Sequence, residues 1–184
     1  MKYLLFIYFI FLSFAAFPQE HHAEINSAQS YEVAVFLGLE CPISQKYIYR
    51  LNDIYKKYKY INSLKWNFII PGNVKEKKIK EFTKEYNVIF PVTSDDQTLS
   101  RTKYFGATVT PQVIIKQNSK TVYIGAIDNW FYELGRYRSQ TTENYLVDAL
   151  EAIINNKEPL ITETKAFGCF IEMTSDLNTH HQHD

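Results

Sequence analysis

The most constraining feature of the sequence is an apolar run that stops at a glycine and is followed by an amphipathic segment. Residues 32–37 are almost continuously apolar and end at Gly38, which is typical of a β-strand covered on both faces. Pro42 stands where a proline is tolerated in the first turn of a helix. From 43 to 59, apolar side chains recur at helical spacing, so the sequence predicts a buried strand that leads into an amphipathic helix. These side chains are Ile43, Tyr47, Leu51, Ile54 and Tyr58.

Strand and helix patterns alternate along the chain before they give way to a hairpin and a closing helix. The predicted hairpin joins two β-rich runs through a turn-like linker at 117–120. This order predicts an α/β fold with a mixed β-sheet flanked by helices, and 184 residues suit one domain of ordinary size. In chain order, the predicted elements are a strand at 64–70, a helix at 75–86, a strand at 88–92, a helix from Asp95 or Asp96 to Tyr104 with Gly106 just past its end, strands at 112–116 and 121–126, and a helix at 142–155.

The composition excludes several classes of protein. Apolar residues make up 46% of the chain and charged residues 22%, which is a globular profile. The 20 basic residues balance 20 acidic ones, so no net field favours nucleic acid or an anionic membrane. The chain has 2 cysteines, Cys41 and Cys169, which excludes a zinc or iron–sulfur site built from four thiolates of one chain.

The N-terminal residues have the pattern of an export signal. Residues 1–19 contain a basic residue, an apolar run and a small-residue stretch suited to cleavage. The apolar run is short for a membrane span, which needs about 20 residues, although an uncleaved anchor is the alternative. The sequence therefore predicts a periplasmic or secreted protein with no stable membrane span after cleavage. We expect 20–30 to be a flexible lead-in, 31–171 the folded domain, and 172–184 a flexible tail that contains histidines.

Cys41 is the strongest candidate for chemistry. It falls where the apolar strand gives way to the amphipathic helix, so its sulfur is expected near the positive end of the helix dipole, which favours the thiolate. The thiolate is the nucleophilic form of cysteine. A free cysteine is also commonly a small buried hydrophobic residue, and position by itself leaves both interpretations open.

Three motifs give the chain a resemblance to a known family. Cys41-Pro42 stands at the helix start, residues 109–113 (VTPQV) precede the hairpin, and Gly168-Cys169 lies near the end of the folded region. In this order and spacing, over residues 31–171, the motifs resemble those of the thioredoxin-like superfamily. The closing Gly-Cys segment, together with Asp128 after the hairpin, is similar to the exported redoxin branch related to AhpC/TSA proteins.

The resemblance implies a thioredoxin-like fold, with a cis-Pro loop at Thr110-Pro111 ahead of the β-hairpin, and a thiol–disulfide oxidoreductase activity. Cys41 is then the nucleophile, Ser44 supports its thiolate, and Ser44, Thr110 and Pro111 contribute to substrate binding. The implied partner is a protein thiol or disulfide substrate, or a redox partner. Because the thiol does the chemistry, no organic cofactor is implied, and the assignment includes no metal site.

The chain departs from the family in two places. The usual Cys-x-x-Cys is Cys41-Pro42-Ile43-Ser44 here, so a hydroxyl replaces the second thiol and a local disulfide cannot form. Cys169 is the remaining candidate for a resolving thiol; a permanent structural disulfide and an unpaired, buried Cys169 are the alternatives. The peroxiredoxin signature is also not reproduced, because Val35 or Ala34 and Gly38 stand at its positions, which disfavours peroxidase activity.

A second class of function is metal binding. Cys41, Cys169 and one imidazole would suit Cu(I) or Zn. Copper-handling assembly factors with thioredoxin-like folds use two cysteines and a histidine, but their motif, with both cysteines in one short loop, is not reproduced in this chain. Histidines in the tail could chelate a metal by themselves, and cleavage after Gln19 would leave a histidine third in the chain, where it suits a square-planar Cu(II) site. The alternatives to an enzyme are therefore a copper-binding module, a partner-binding module and a structural domain stapled by a disulfide. The histidines concerned are His22, His180, His181 and His183.

Overall fold

The computed structural model describes residues 30–173. The predicted export signal at 1–19, most of the lead-in and the tail from 174 onward lie outside the described residues. In chain order the elements are β1 (Tyr31–Phe36), α1 (Pro42–Tyr58), β2 (Leu64–Ile70), α2 (Glu76–Glu85), β3 (Val92–Ser94), α3 (Ser100–Phe105), β4 (Val109–Thr110), β5 (Gln112–Gln117), β6 (Lys120–Gly125), β7 (Phe131–Glu133), β8 (Arg136–Tyr137), α4 (Tyr145–Ile154) and β9 (Cys169–Phe170).

Five strands form the central sheet, in the order β3-β2-β1-β5-β6. The middle strand, β1, pairs in parallel with β2 and antiparallel with β5, and β5 and β6 form the predicted antiparallel hairpin. A mixed sheet in this order, flanked by helices, is the thioredoxin-like fold, so the predicted fold class is confirmed. Within residues 30–173, no helix is both long and apolar enough to cross a membrane.

Strand β1 is buried on both faces, as its apolar run predicts. Val33 and Val35 belong to the larger core, which also contains the buried faces of α1 and α4. Ala34 and Phe36 belong to a smaller core on the other face of the sheet. Full burial of a side chain such as Val or Phe contributes about 1.5–3 kcal/mol, so β1 is held firmly and fixes where the loop that follows it begins.

Helix α1 begins at Pro42, with Cys41 as its N-cap in an extended conformation. The predicted amphipathic pattern is confirmed, because one face of the helix is buried in the larger core. The helix ends at Tyr58, within one residue of the predicted boundary. Its buried side chains are Ile43, Ser44, Tyr47, Ile48, Leu51 and Tyr58.

The prediction of a short strand at 88–92 is wrong, because the strand begins only at the last of these residues. It covers Val92–Ser94 and pairs in parallel with β2. Before it, Phe90 is buried and stacks on Phe68, with 3.8 Å between the ring centroids. The N–H of Val88 donates to the carbonyl of Thr83 at 2.9 Å and that of Ile89 to the side-chain oxygen of Asn52 at 3.1 Å, so neither group takes part in a strand ladder.

Helix α3 begins later than the pattern around Asp95 and Asp96 predicts. It starts at Ser100, because Leu99 before it adopts a left-handed conformation with φ of 57°. The Asp95 carboxylate still caps the helix from a distance: it accepts the backbone N–H groups of Arg101 at 3.1 Å and Thr102 at 2.8 Å. The helix ends at Phe105, one residue after the predicted Tyr104, and Gly106 follows it as predicted, with a φ of 78° that suits a residue without a Cβ atom.

The closing helix begins at Tyr145, three residues after its predicted start of 142. The side-chain oxygen of Asn129 accepts the backbone N–H groups of Thr142 at 3.0 Å and Glu143 at 3.3 Å, which holds both residues in the loop. Two short ladders, β4 with β9 and β7 with β8, were not predicted. Strands of two or three residues carry no periodic pattern that a sequence could reveal.

Candidate functional site

Cys41 lies at the junction that the sequence singles out, between the carboxyl end of β1 and the start of α1. Its side chain is 3% exposed, and its thiol donates a hydrogen bond to the backbone carbonyl of Thr110 at 3.0 Å. The connecting turn needs a glycine at Gly38, because a Cβ atom there would lie 2.7 Å from the Thr110 hydroxyl and 2.8 Å from Cβ of Cys41. The tight turn therefore places the Cys41 thiol in contact with the loop that contains Thr110.

The Thr110–Pro111 peptide bond is cis. Thr110 is the last residue of β4, and its backbone carbonyl contacts the sulfur of Cys41 where the chain enters the loop. The side-chain oxygen of Gln112 accepts the N–H groups of Thr108 at 2.8 Å and Val109 at 3.3 Å. These bonds hold the start of the loop against β5.

Cys169, in the last strand of the domain, lies beside Cys41. It lies in β9, which pairs antiparallel with β4 so that Thr110 is opposite Cys169. The N–H of Ile171 extends the pairing by donating to the carbonyl of Thr108 at 2.9 Å. In this register the thiol of Cys169 donates to Sγ of Cys41 over 2.9 Å, although 128 positions separate the two residues.

The residue before Cys169 must be small for this pairing to form. A Cβ atom on Gly168 would lie 2.0 Å from the carbonyl oxygen of Thr110 and 2.5 Å from its carbonyl carbon. Real Cβ atoms do not approach backbone this closely, so any side chain at 168 would push β9 away from β4. The Gly-Cys order noted in the sequence therefore has a steric reason.

The segment that carries Cys169 is anchored five residues earlier, at Thr164. The N–H of Thr164 donates to the carbonyl of Ile124 in β6 at 3.0 Å, and Ile124 donates back to Thr162 at 3.0 Å. The Thr164 hydroxyl accepts the N–H of Ala126 at 2.9 Å. We call residues 165–171 the C-terminal arm; it runs from this anchor on one side of the sheet to the ladder with β4.

The pKa values of the two thiols are shifted in opposite directions. Burial raises the pKa of the Cys41 thiol, but hydrogen bonds from the Cys169 thiol and from the N–H and hydroxyl of Ser44 outweigh it, so its pKa is lowered. Burial and the neighbouring Cys41 sulfur raise the pKa of Cys169. The helix start adds to the lowering at Cys41. Cys41 is therefore the thiol that ionises first.

Ser44 is fully buried and lies in the first turn of α1. Its hydroxyl oxygen accepts the N–H of Gly38 at 3.1 Å, which ties the helix to the turn before Cys41. The structure places this residue behind the thiol rather than on an open groove. Support of the Cys41 thiolate fits this position, and a direct contact with substrate stays a prediction.

A buried carboxylate beside the site has partners that sequence reasoning missed. Asp128 accepts the hydroxyl of Tyr47 at 2.6 Å, the guanidinium of Arg50 at 2.7 Å and the N–H of Trp130 at 2.8 Å. Burial and the Asp128 charge raise the pKa of Tyr47 above its usual range. The network fixes α1 to the start of the β7–β8 hairpin. The signal available in the sequence was the hydroxyl of Tyr47, which needs a polar partner on the buried face of α1. Helical spacing led instead to the interpretation of Tyr47 as an apolar residue.

Beside the thiol pair lies an open cavity of about 200 Å³. The start of α1 forms one wall, the β7–β8 hairpin forms the other, and Cys169 is on its surface. Among the described residues that line it, Lys46 is the charged one, with its ammonium 4.4 Å from the centre of the Tyr137 ring. The lining residues are Pro42, Ile43, Lys46, Phe131, Leu134, Gly135, Tyr137 and Cys169.

The metal-binding alternative depends on residues at the two ends of the chain. In the part of the chain from 30 to 173, no group of three or more His, Cys, Asp and Glu side chains could hold a metal ion. All of the histidines proposed as ligands, His22, His180, His181 and His183, lie outside the described residues. Copper binding therefore stays a sequence-based hypothesis.

The arrangement of elements is shared with solved structures. A hypothetical protein from Sinorhizobium meliloti 1021 is 20% identical, with a TM-score of 0.63, and the match covers 80% of this chain and 82% of that one. An uncharacterized conserved protein from Geobacillus kaustophilus is 20% identical, with a TM-score of 0.62 over 78% of this chain and 77% of that one. The likeness is one of fold. No protein-family model matches the sequence, and no curated protein matches it.

Proposed function

We propose that the protein is a thiol–disulfide oxidoreductase whose two cysteines alternate between a dithiol and a disulfide. The observation that carries the proposal is the 2.9 Å separation of the two Sγ atoms. A disulfide between them needs only a small approach of the sulfurs, because the β4–β9 ladder sets Cys169 opposite Thr110, whose carbonyl already accepts the Cys41 thiol. The lowered pKa of Cys41 supplies a thiolate, which is the reactive form.

In the reaction we propose, the Cys41 thiolate attacks one sulfur of a protein disulfide. A mixed disulfide forms on Cys41, and the other substrate sulfur leaves as a thiolate. Cys169 then loses its proton and attacks Sγ of Cys41, which releases the second substrate thiolate and leaves a Cys41–Cys169 disulfide. Two electrons pass from the cysteine pair to the substrate, whose thiolates take up protons from solvent.

Access to Cys41 requires the C-terminal arm to move. The Cys41 side chain is 3% exposed and is covered by Cys169. β9 is held by a ladder of two residue pairs and by the flanking bond from Ile171 to Thr108. Opening this ladder exposes both the sulfur and the β4 edge at Thr110. An extended substrate segment could then pair with this edge in place of β9, which is the role proposed for Thr110 and Pro111.

We also propose that the protein works outside the cytoplasm, as the signal-like pattern of residues 1–19 predicts. An oxidising compartment permits the disulfide form. Membership of the exported redoxin branch related to AhpC/TSA proteins belongs to the same proposal and rests on the sequence motifs.

The proposal is tested by the stoichiometry of protein-disulfide reduction. The reduced protein is mixed with oxidised insulin, and free insulin thiols and the protein's own disulfide are counted by alkylation and mass. We expect two insulin thiols per chain for the wild type, a mixed disulfide on Cys41 for Cys169→Ser, and no reaction for Cys41→Ser. Failure of the wild type to transfer electrons contradicts the proposal.

A further inference from the structure

The oxidised protein must regain electrons, and its two sulfurs offer different targets for the reductant. Resting on the proposed function, we propose that an external dithiol attacks Sγ of Cys169 and expels Cys41 as the leaving group. The two half-reactions then use different sulfurs: Cys41 meets the substrate disulfide, and Cys169 meets the reductant.

Accessibility favours Cys169 as the target. Cys41 is 3% exposed, enclosed by the turn at Gly38, the carbonyl of Thr110 and the Cys169 side chain. Cys169 is exposed and lies on the surface of the cavity beside α1. A thiolate that enters this cavity reaches Cys169 without opening the β4–β9 ladder, whereas it reaches Cys41 only after the ladder opens.

The chemistry of the leaving group points the same way. Thiol–disulfide exchange is faster when the departing sulfur has the lower pKa. Hydrogen bonds from Ser44 and the start of α1 stabilise a thiolate on Cys41, whereas within residues 30–173 burial and the Cys41 sulfur disfavour a thiolate on Cys169. Departure of Cys41 therefore leaves the charge on the sulfur that the fold is built to stabilise.

The cavity walls suit a reductant whose thiolate is carried by an otherwise apolar part of the molecule. Lys46 brings a positive charge to the rim, and Phe131, Leu134 and Tyr137 provide apolar contact. A thiolate approaching Cys169 passes within the field of the ammonium. The walls also depend on the Asp128 network, because that network fixes α1 relative to the β7–β8 hairpin.

The electrons balance with a dithiol as the reductant. Its first thiolate forms a bond to Sγ of Cys169 as the Cys41–Cys169 bond breaks, and Cys41 leaves as a thiolate. The second thiolate of the same reductant attacks the reductant's sulfur in the mixed disulfide, which closes the reductant's own disulfide and releases Cys169. Cys169 takes up a proton, and the pair has gained two electrons.

The proposal is tested with a monothiol, which cannot complete the second step. The oxidised full chain is mixed with glutathione, quenched within seconds by N-ethylmaleimide, digested and mapped by mass spectrometry. We expect glutathione on Cys169 and ethylmaleimide on Cys41. Glutathione on Cys41, alone or in equal amount, overturns the inference and leaves the proposed function intact. Intact mass before glutathione is added shows whether the disulfide formed; its absence overturns the proposed function and the inference together.

A surface charge tests the route through the cavity independently. Leu134 is 60% exposed on the cavity rim, and Leu160 is 98% exposed elsewhere, so Leu134→Glu and Leu160→Glu are matched variants that keep the core. We expect Leu134→Glu to slow reduction by anionic glutathione about threefold and to speed reduction by cationic cysteamine, as for a charge within a Debye length. Leu160→Glu should change neither rate. Equal rates for both variants with both thiols overturn the route.

Discussion

Thr110 binds both members of the thiol pair: its carbonyl oxygen accepts the thiol of Cys41 at 3.0 Å, and its backbone lies opposite Cys169 in the β4–β9 ladder. One residue therefore contacts both cysteines. A change that disturbs this ladder should therefore act on thiol chemistry before it acts on the stability of the central sheet, in which neither β4 nor β9 takes part.

Gly168→Ala is expected to separate the two thiols. The new Cβ atom would lie 2.0 Å from the Thr110 carbonyl oxygen, so β9 must shift relative to β4. We expect disulfide formation in a glutathione redox buffer to slow about tenfold or more, since a misplacement of about 1 Å can cost a reaction up to 100-fold. Glu172→Ala, an exposed change beyond the ladder, is the control. An unchanged rate in Gly168→Ala would show that β9 does not position Cys169.

Ser44→Ala is expected to raise the pKa of Cys41. The variant loses a hydroxyl that lowers this pKa, and it leaves the N–H of Gly38 without its acceptor. The unpaired group should also cost about 1–3 kcal/mol of stability. The rate of Cys41 alkylation, followed against pH, measures the shift, with Ser119→Ala in the β5–β6 turn as the control. A profile that coincides with the wild type would exclude Ser44 from the support of the thiolate.

The two thiols should stabilise the reduced protein most near the ordinary thiol pKa of about 8.5. Below this pH and above the lowered pKa of Cys41, the folded state has lost a proton that the unfolded state keeps, so the free energy of unfolding rises with pH. Above about 8.5, the raised pKa of Cys169 reverses the sign, because the unfolded state loses its proton first.

This pH dependence is measured by urea unfolding of the reduced protein against the variant with both cysteines changed to serine. The double variant carries every other titrating group, so the difference between the two curves isolates the thiols. We expect a maximum in that difference. A difference that is flat with pH would mean that folding does not alter the acidity of either thiol.

Tyr47→Phe is expected to destabilise the domain through Asp128. The hydroxyl donates to the buried carboxylate at 2.6 Å, and its loss leaves that carboxylate with one fewer donor, which should cost about 1–3 kcal/mol. Tyr49→Phe, on the same helix but 75% exposed, should leave the free energy of unfolding unchanged. Equal urea midpoints for the two variants would show that the buried hydrogen bond adds nothing.

The sequence predicted the parts of the fold that repeat a local pattern. The apolar run of β1, the helical spacing of α1 and the β5–β6 hairpin all appear where predicted, because each is set by side chains close together in the chain. The start of α3 could not be placed in this way. It depends on the left-handed conformation of Leu99 and on a cap from Asp95, six residues before the N–H of Arg101 that it binds.

Only the part of the site that depends on local sequence could be predicted. Cys41 at a helix start is a local signal, and the structure places it there. The meeting of Cys41 with Cys169 depends on a two-residue ladder that no periodicity reveals. Gly168 was visible beside Cys169, but its close approach to Thr110 is a property of the folded chain.

A redox titration of the full chain tests the central claim most directly. The protein is equilibrated in glutathione buffers of stepped potential, quenched with an alkylating mass tag and weighed intact. We predict that both thiols disappear together in one two-electron transition at a potential above about −300 mV, where reversible rather than structural disulfides are found. Two thiols that stay alkylatable in the most oxidising buffer, or a disulfide that persists below about −300 mV, would contradict the account.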